Sequence, residues 1–206
     1  MKPHKTTIRS DTTERHVNKY RNKNLIHRYT LDRFFDQVVK EVKDINPQNV
    51  LEFGCGEGLF LDELKKRNVH FKKLTGIDLR EDAISHAGYL FPEHTFHCID
   101  LFDFQPEQHF DLVIASQVIE HLVDPDIFIK KLISLTNKYL LLTVPWEPWF
   151  QLMNFIRGRD FMRLGNHPEH INHWTAKKLN KFVSKHALVH NVSLVFPFII
   201  LTAKVN

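Results

Sequence analysis

The sequence predicts an α/β fold: a mostly parallel sheet with helices on both faces and an antiparallel hairpin at its C-terminal end. Three observations carry this. From residue 49 onward, short continuous apolar stretches alternate with helix-like ones, the pattern of strands buried on both faces. The stretch "VLEFGCGEGLF", residues 50–60, sets three glycines at alternate positions directly behind an apolar run, as at a strand-to-helix turn where open parallel sheets bind small molecules. The last two apolar stretches, "LVHNVSLVF" and "FIILTAKV", are joined by a tight turn at Pro197, which forces antiparallel pairing.

Each element follows in order. Residues 1 to about 24 are rich in Lys, Arg, Thr and Asn and nearly empty of large apolar side chains, which predicts a mobile or conditionally ordered arm. From Leu31 the apolar residues Phe34, Phe35, Val38, Val39, Val42 and Ile45 recur at the spacing of a one-sided amphipathic helix, ended by Asn46-Pro47. Then come strand "NVLEF", a helix from Leu59, strand "KLTGID", a helix from about Glu81, strands "TFHCID" and "FDLVIAS", a helix with Pro125 in its first turn, and strand "KYLLLTV". The rhythm breaks at Pro145. Residues 145–174 hold three tryptophans and several prolines with little periodicity, so a cap or loop is expected there, with a short helix near 150–156. Thr175 is placed to N-cap a last helix to about His186, with Trp174 and Leu179 spaced as a hydrophobic staple. The expected layout is one domain: an arm or lid over 1–30, a ligand-binding core over 31–145, a cap over 146–174, and the C-terminal helix and hairpin over 175–206.

Composition narrows the class. At 206 residues and 43% hydrophobic, the chain suffices for one well-buried core and is short for two. Lys plus Arg exceed Asp plus Glu by only 28 to 24, and outside the arm the basic residues are scattered, which predicts a solvated surface rather than a nucleic-acid groove. The 14 histidines make the net charge sensitive to pH near 6. Cys55 and Cys98 are far apart and lack metal-type spacing, so neither a disulfide framework nor a zinc site is expected, and a reducing cytoplasm suits the chain. No apolar run approaches the roughly 20 residues that span a bilayer.

The glycines are where the chemistry starts. A dinucleotide fingerprint, G-x-G-x-x-G, would need Gly at 54, 56 and 59, but position 59 is Leu and the third glycine is Gly58. The spacing counts against a nicotinamide or flavin dinucleotide. Bare backbone at Gly54, Gly56 and Gly58 is expected to let a ligand approach closely. Asp78 closes the next strand, where a carboxylate can accept from both hydroxyls of a ribose.

"VLEFGCGEGLF", "LTGIDLR", "TFHCIDLFDF" and "FDLVIASQVIEHLVDP" occur in the order and spacing of the class I S-adenosylmethionine-dependent methyltransferases, and the chain resembles that family over residues 50–145. The resemblance implies a Rossmann-like, seven-stranded sheet, S-adenosyl-L-methionine as cofactor and S-adenosyl-L-homocysteine as product. It further implies that Glu52, Gly54, Cys55, Gly56 and Gly58 lie beside the methionine part of the cofactor and that Asp78 binds its ribose. Leu79, Asp100 and Leu101 would frame the adenine, and Ser116 and Gln117 would stand near the methionine end. Taken alone, Cys55 reads as packing, and Asp78 or Asp100 as a helix cap.

"SQVIEHL" resembles the segment after strand four in quinone-pathway O-methyltransferases and in small-RNA 2′-O-methyltransferases. The RNA group carries a Glu, a Glu-His pair and a downstream His around a divalent metal. Here Glu120 and His121 match and His170 is a candidate third ligand, but Gln117 replaces the first Glu, and a neutral amide is a poor magnesium ligand. No metal is therefore expected. His121 is the candidate general base for an acceptor hydroxyl, and His170 and His173 are expected near the acceptor. The "TVPWEPWF" and "GNHPEHINHW" stretches are similar to the insert of bacterial small-molecule and lipid-linked methyltransferases. This favours an O-methyl acceptor with apolar bulk over nucleic acid and leaves peripheral membrane contact open. Tyr20, His27 and Arg28 are candidates for a lid.

Overall fold

Side chains of a strand point alternately to its two faces, and in the central strands both sets are apolar. Val50, Leu112, Ile114 and Leu141 belong to one buried cluster, and their neighbours Leu51, Val113, Ala115 and Leu142 to the other. Such strands need cover on both sides. The computed structural model describes residues 25–146 and 171–205, apart from the side chains of Ile26 and His27, and it shows that cover.

In chain order the elements are α1 (Leu25–Ile45), β1 (Asn49–Phe53), α2 (Leu59–Lys66), β2 (Lys73–Asp78), α3 (Glu81–Leu90), β3 (Thr95–Cys98) and β4 (Phe110–Ser116). A single 3-10 turn at Ile119–His121 follows, then α4 (Pro125–Leu135), β5 (Thr136–Pro145), α5 (Ala176–Val183), β6 (Leu188–Val195) and β7 (Phe198–Lys204). They build a seven-stranded sheet of order β3-β2-β1-β4-β5-β7-β6. β3, β2, β1, β4 and β5 run parallel, and β7 is antiparallel to both β5 and β6. This is the Rossmann-like architecture expected, hairpin included.

One face is covered by α1 and α2, which contribute Phe34, Phe35, Val38, Phe60 and Leu64, and the other by α4 and α5, which contribute Phe128, Ile129, Leu179 and Phe182. Burying each such side chain is favourable by about 1.5–3 kcal/mol before the ordering cost is counted. The order of connection reverses between β1 and β4, so the crevice of an open sheet opens at their carboxyl ends.

Local signals hold with two shifts. α1 starts at Leu25, so the last residues of the expected 1–30 arm are helical, and it ends where Asn46 takes a left-handed φ of 48°. α5 ends at Val183 rather than near His186, after Thr175 Oγ1 accepts the Lys178 N–H as its cap. Trp174 and Leu179 are both buried in one cluster, as the staple requires. Tyr20 and the greater part of the cap, including His170, lie outside the described residues, as does the His27 side chain.

Candidate active site

β1 ends in the glycine turn, and its geometry adds a second reason for glycine there. Gly54, Gly56 and Gly58 have φ of +69°, +52° and +77°, a region that a Cβ disfavours. A Cβ on Gly54 would lie 2.9 Å from Val118 Cγ2, and one on Gly58 would lie 3.3 Å from both Ala87 and Phe91. At those two positions the missing side chain makes room for protein. Only at Gly56 is the space looser, with Arg80 Nη2 at 3.6 Å. Gly76, which the motif reading passed over, is the tightest: its Cβ would meet the Phe96 ring at 2.5 Å and Cys55 Sγ at 2.8 Å.

Asp78 reaches this turn from β2. Its Oδ2 accepts the Gly56 N–H at 3.0 Å and its Oδ1 the Arg80 N–H at 3.0 Å. Each oxygen keeps a second lone pair for a further donor. Arg80 in turn donates from Nη2 to Glu57 Oε1 at 2.8 Å, and its Nε lies 3.8 Å from Asp78 Oδ1. Burial, reinforced by the nearby Asp78 carboxylate, holds the Glu52 carboxyl well above the usual range. Its Oε2 is buried without a hydrogen-bond partner among the described residues. Burial, with Glu52 and Asp78 beside it, likewise pushes the Cys55 thiol far up, so this buried sulfur is a packing atom rather than a nucleophile.

Beyond β2 and β3 the three candidates for the adenine differ. Leu79 is exposed, Leu101 is buried in the core cluster, and Asp100 Oδ1 accepts the Phe102 N–H at 2.9 Å, capping the turn after β3.

Across the crevice, β4 ends at Ser116 and Gln117. Gln117 is one of three non-glycine residues with positive φ among those described, at +59°. Thr143 of β5 supports it: the Thr143 carbonyl accepts the Gln117 N–H at 2.9 Å, and its hydroxyl meets Ser116 Oγ at 2.8 Å and Gln117 Nε2 at 3.3 Å. The 3-10 turn follows, with Glu120 buried and His121 Nε2 3.9 Å from Glu120 Oε1. Residues 171 and 172 dock onto this turn. Ile171 and Asn172 N–H both donate to the Glu120 carbonyl, and Asn172 Nδ2 donates to the carbonyls of Ile119 and Leu122. The segment bearing His173 is thereby fixed against the turn bearing His121. Val123 after this turn, Ile127 of α4 and Ile171 of the docked segment are exposed.

The residues present fit an adenosyl cofactor. Asp78 has open lone pairs for hydroxyl donors, and the buried Glu52 Oε2 lacks the donor that an ammonium would supply. Among the described residues no group of three His, Cys, Asp or Glu is placed to hold a metal ion, and no helix is long and apolar enough to cross a membrane. Sequence reading missed Glu57, Arg80, Thr143 and Asn172. Each is a polar residue inside a quoted stretch whose side-chain partner, Glu57 with Arg80, Thr143 with Gln117 and Asn172 with Leu122, lies 20 residues or more away, so spacing alone carried no signal.

Residues 18–188 match a family model described as a methyltransferase domain. The chain is 25% identical over 158 residues to a ubiquinone biosynthesis O-methyltransferase of Bradyrhizobium diazoefficiens, covering 74% of this chain and 59% of that one. It is 27% identical over 164 residues to a small RNA 2′-O-methyltransferase of Schizosaccharomyces pombe, covering 67% of this chain and 43% of the other. It thus spans less than two thirds of the length of either relative. Among solved structures, a magnesium protoporphyrin IX methyltransferase from Synechocystis PCC 6803 with bound SAH superimposes with a TM-score of 0.68 at 18% identity, over 95% of this chain and 96% of that one. That likeness is one of fold.

Proposed function

The chain belongs to the class I S-adenosylmethionine-dependent methyltransferases, and on that footing we propose that it methylates an oxygen of a small or lipid-linked acceptor with apolar bulk. The observation that carries the reading is the contact between the two turns at the carboxyl ends of β1 and β4: Gly54 of the Asp78-anchored glycine turn leaves room for Val118, three residues before the half-buried His121. Its likeness to a ubiquinone biosynthesis O-methyltransferase supports the choice of oxygen.

When bound, the cofactor supplies a methyl group on a positively charged sulfur. The chain's own tasks are to hold, orient and deprotonate. Asp78 accepts the ribose hydroxyls, and the glycine turn with Glu52 and Cys55 flanks the methionine part. Leu79, Asp100 and Leu101 border the adenine, with Leu101 acting from within the core. Ser116 and Gln117, held by Thr143, form the opposite wall. An imidazole nitrogen of His121, whose Nε2 lies 3.9 Å from Glu120 Oε1, takes the proton of the acceptor hydroxyl. His173, and His170 with it, line the acceptor side.

The test is calorimetric titration of S-adenosylhomocysteine with and without EDTA, followed by a turnover screen with phenolic and lipid-linked acceptors. Metal-independent binding is expected, with loss of turnover in His121→Ala at retained cofactor affinity. Binding or turnover that vanishes with EDTA would favour metal-assisted RNA-end 2′-O-methylation, and binding without turnover on any acceptor a non-catalytic scaffold.

A further inference from the structure

We propose that Arg80 is a positioning residue for cofactor recognition, clamping the Asp78 carboxylate between its own backbone and the buried Glu57 so that the remaining lone pairs of Asp78 face the ribose hydroxyls. The inference rests on the ribose reading of Asp78 above.

Four groups on two loops close a ring. Gly56 N–H donates to Asp78 Oδ2 and Arg80 N–H to Asp78 Oδ1, both at 3.0 Å. The Arg80 guanidinium approaches the same Oδ1 with Nε at 3.8 Å and donates through Nη2 to Glu57 Oε1 at 2.8 Å. Glu57 is the residue after Gly56, which completes the circuit. The three charged side chains are 14%, 13% and 6% exposed for Arg80, Asp78 and Glu57, so bulk water screens the ring little.

The far side of the ring is fixed as well. His86 Nδ1 lies 3.0 Å from the Glu57 carbonyl, and Ala87 and Phe91 fill the space beside Gly58. Helix α3, whose N-cap residue is Arg80, therefore grips Glu57 by backbone and by side chain at once. A carboxylate at the end of two rotatable bonds would otherwise turn freely at the mouth of the crevice. With N–H donors on both oxygens and a guanidinium alongside, Asp78 offers its open lone pairs in one direction. A guanidinium suits this role because its planar fork reaches two carboxylates from one locked side chain.

A residue that merely stabilised the turn would weaken every ligand alike, whereas a positioning residue for ribose acts only on ligands that have the hydroxyl. The experiment is a cycle between protein and ligand variants. S-adenosylhomocysteine and its 2′-deoxyadenosyl counterpart are titrated calorimetrically into the wild-type chain, Arg80→Met, Arg80→Lys, Glu57→Gln and Asp78→Asn, with thermal unfolding recorded for each. The wild type is expected to prefer the hydroxylated ligand by about tenfold or more, as for a hydrogen bond to a charged group. Arg80→Met should cut that preference to within about threefold, and Arg80→Lys should retain part of it. Should Arg80→Met fail to fold, Glu57→Gln, which keeps the shape and removes the anchor's charge, should lower the preference too.

An undiminished preference in Arg80→Met, or in Glu57→Gln where the first is unfolded, overturns the proposal even if both affinities fall together. If that happens while Asp78→Asn collapses the preference, the ribose reading stands and only the role of Arg80 is lost. A preference unchanged in Asp78→Asn removes the ribose reading itself.

Discussion

Gly76 shows how much a single side chain decides here. An alanine at this position of β2 would press on the Phe96 ring and on Cys55 Sγ at once; Phe96 is paired in β3, and Cys55 is buried in the glycine turn with its N–H on the Ile77 carbonyl. Gly76→Ala should lower the unfolding free energy by about 1–3 kcal/mol, read from urea titration. Glu52 gives a pH dependence whose sign follows from its burial. Its folded value lies above the ordinary 4.5, so between 4.5 and that raised value the folded chain binds more protons than the unfolded one. The stabilising effect of this proton is therefore complete below pH 4.5 and is lost as pH rises through the folded value. Glu52→Gln should lose less stability than the wild type between pH 5 and pH 8 in urea titrations without ligand. An equal slope for the two would show that Glu52 titrates normally. The glycine motif was legible at this scale, but its physical reason was not. Val118, Ala87 and Phe91 occupy the space that Gly54 and Gly58 leave, and those contacts come from other elements.

At the scale of elements, the return of the chain from residue 171 depends on few bonds. Asn172 Nδ2 satisfies two carbonyls of the 3-10 turn, at Ile119 and Leu122. Asn172→Ala should cost about 1–3 kcal/mol through the carbonyls it strands, and it should reduce turnover while leaving S-adenosylhomocysteine affinity near wild type. Glu41 ties α1 to the hairpin in the same manner, accepting from Gln37 and Asn191 on Oε1 and from Thr202 on Oε2. Truncation to alanine strands the Asn191 and Thr202 donors at a cost of about 1–3 kcal/mol, measurable as a shift of the urea midpoint. Strands and helices themselves were readable from apolar period and caps: Thr175, Pro125 and the Trp174–Leu179 staple each stand where their residue types require. The start of α1 was not, because Leu25 and Tyr29 of its first turns are exposed and do not extend the buried face that runs through Phe34, Phe35 and Val38.

Over the whole molecule the cofactor acts as a stabiliser by mass action. At a hundred times its dissociation constant, S-adenosylhomocysteine should raise unfolding free energy by about 2.7 kcal/mol, and EDTA should not change the shift in melting temperature. A shift abolished by EDTA would bring Glu120, His121 and His170 back as metal ligands.

The sequence by itself determined the alternation of strands and helices, the antiparallel ending, the glycine turn and the identity of Asp78 and His121 as chemically capable groups. These depend on local period and on residue types within a few positions of one another. Tertiary structure alone decided that Arg80 and Glu57 close a ring on Asp78, that Thr143 holds Gln117 at a positive φ, and that Asn172 docks on the turn of His121. Each of these joins groups distant along the chain: parallel pairing sets the end of β1 beside that of β2 and the end of β4 beside that of β5, and the reversal of strand order between β1 and β4 opens a crevice between the two pairs.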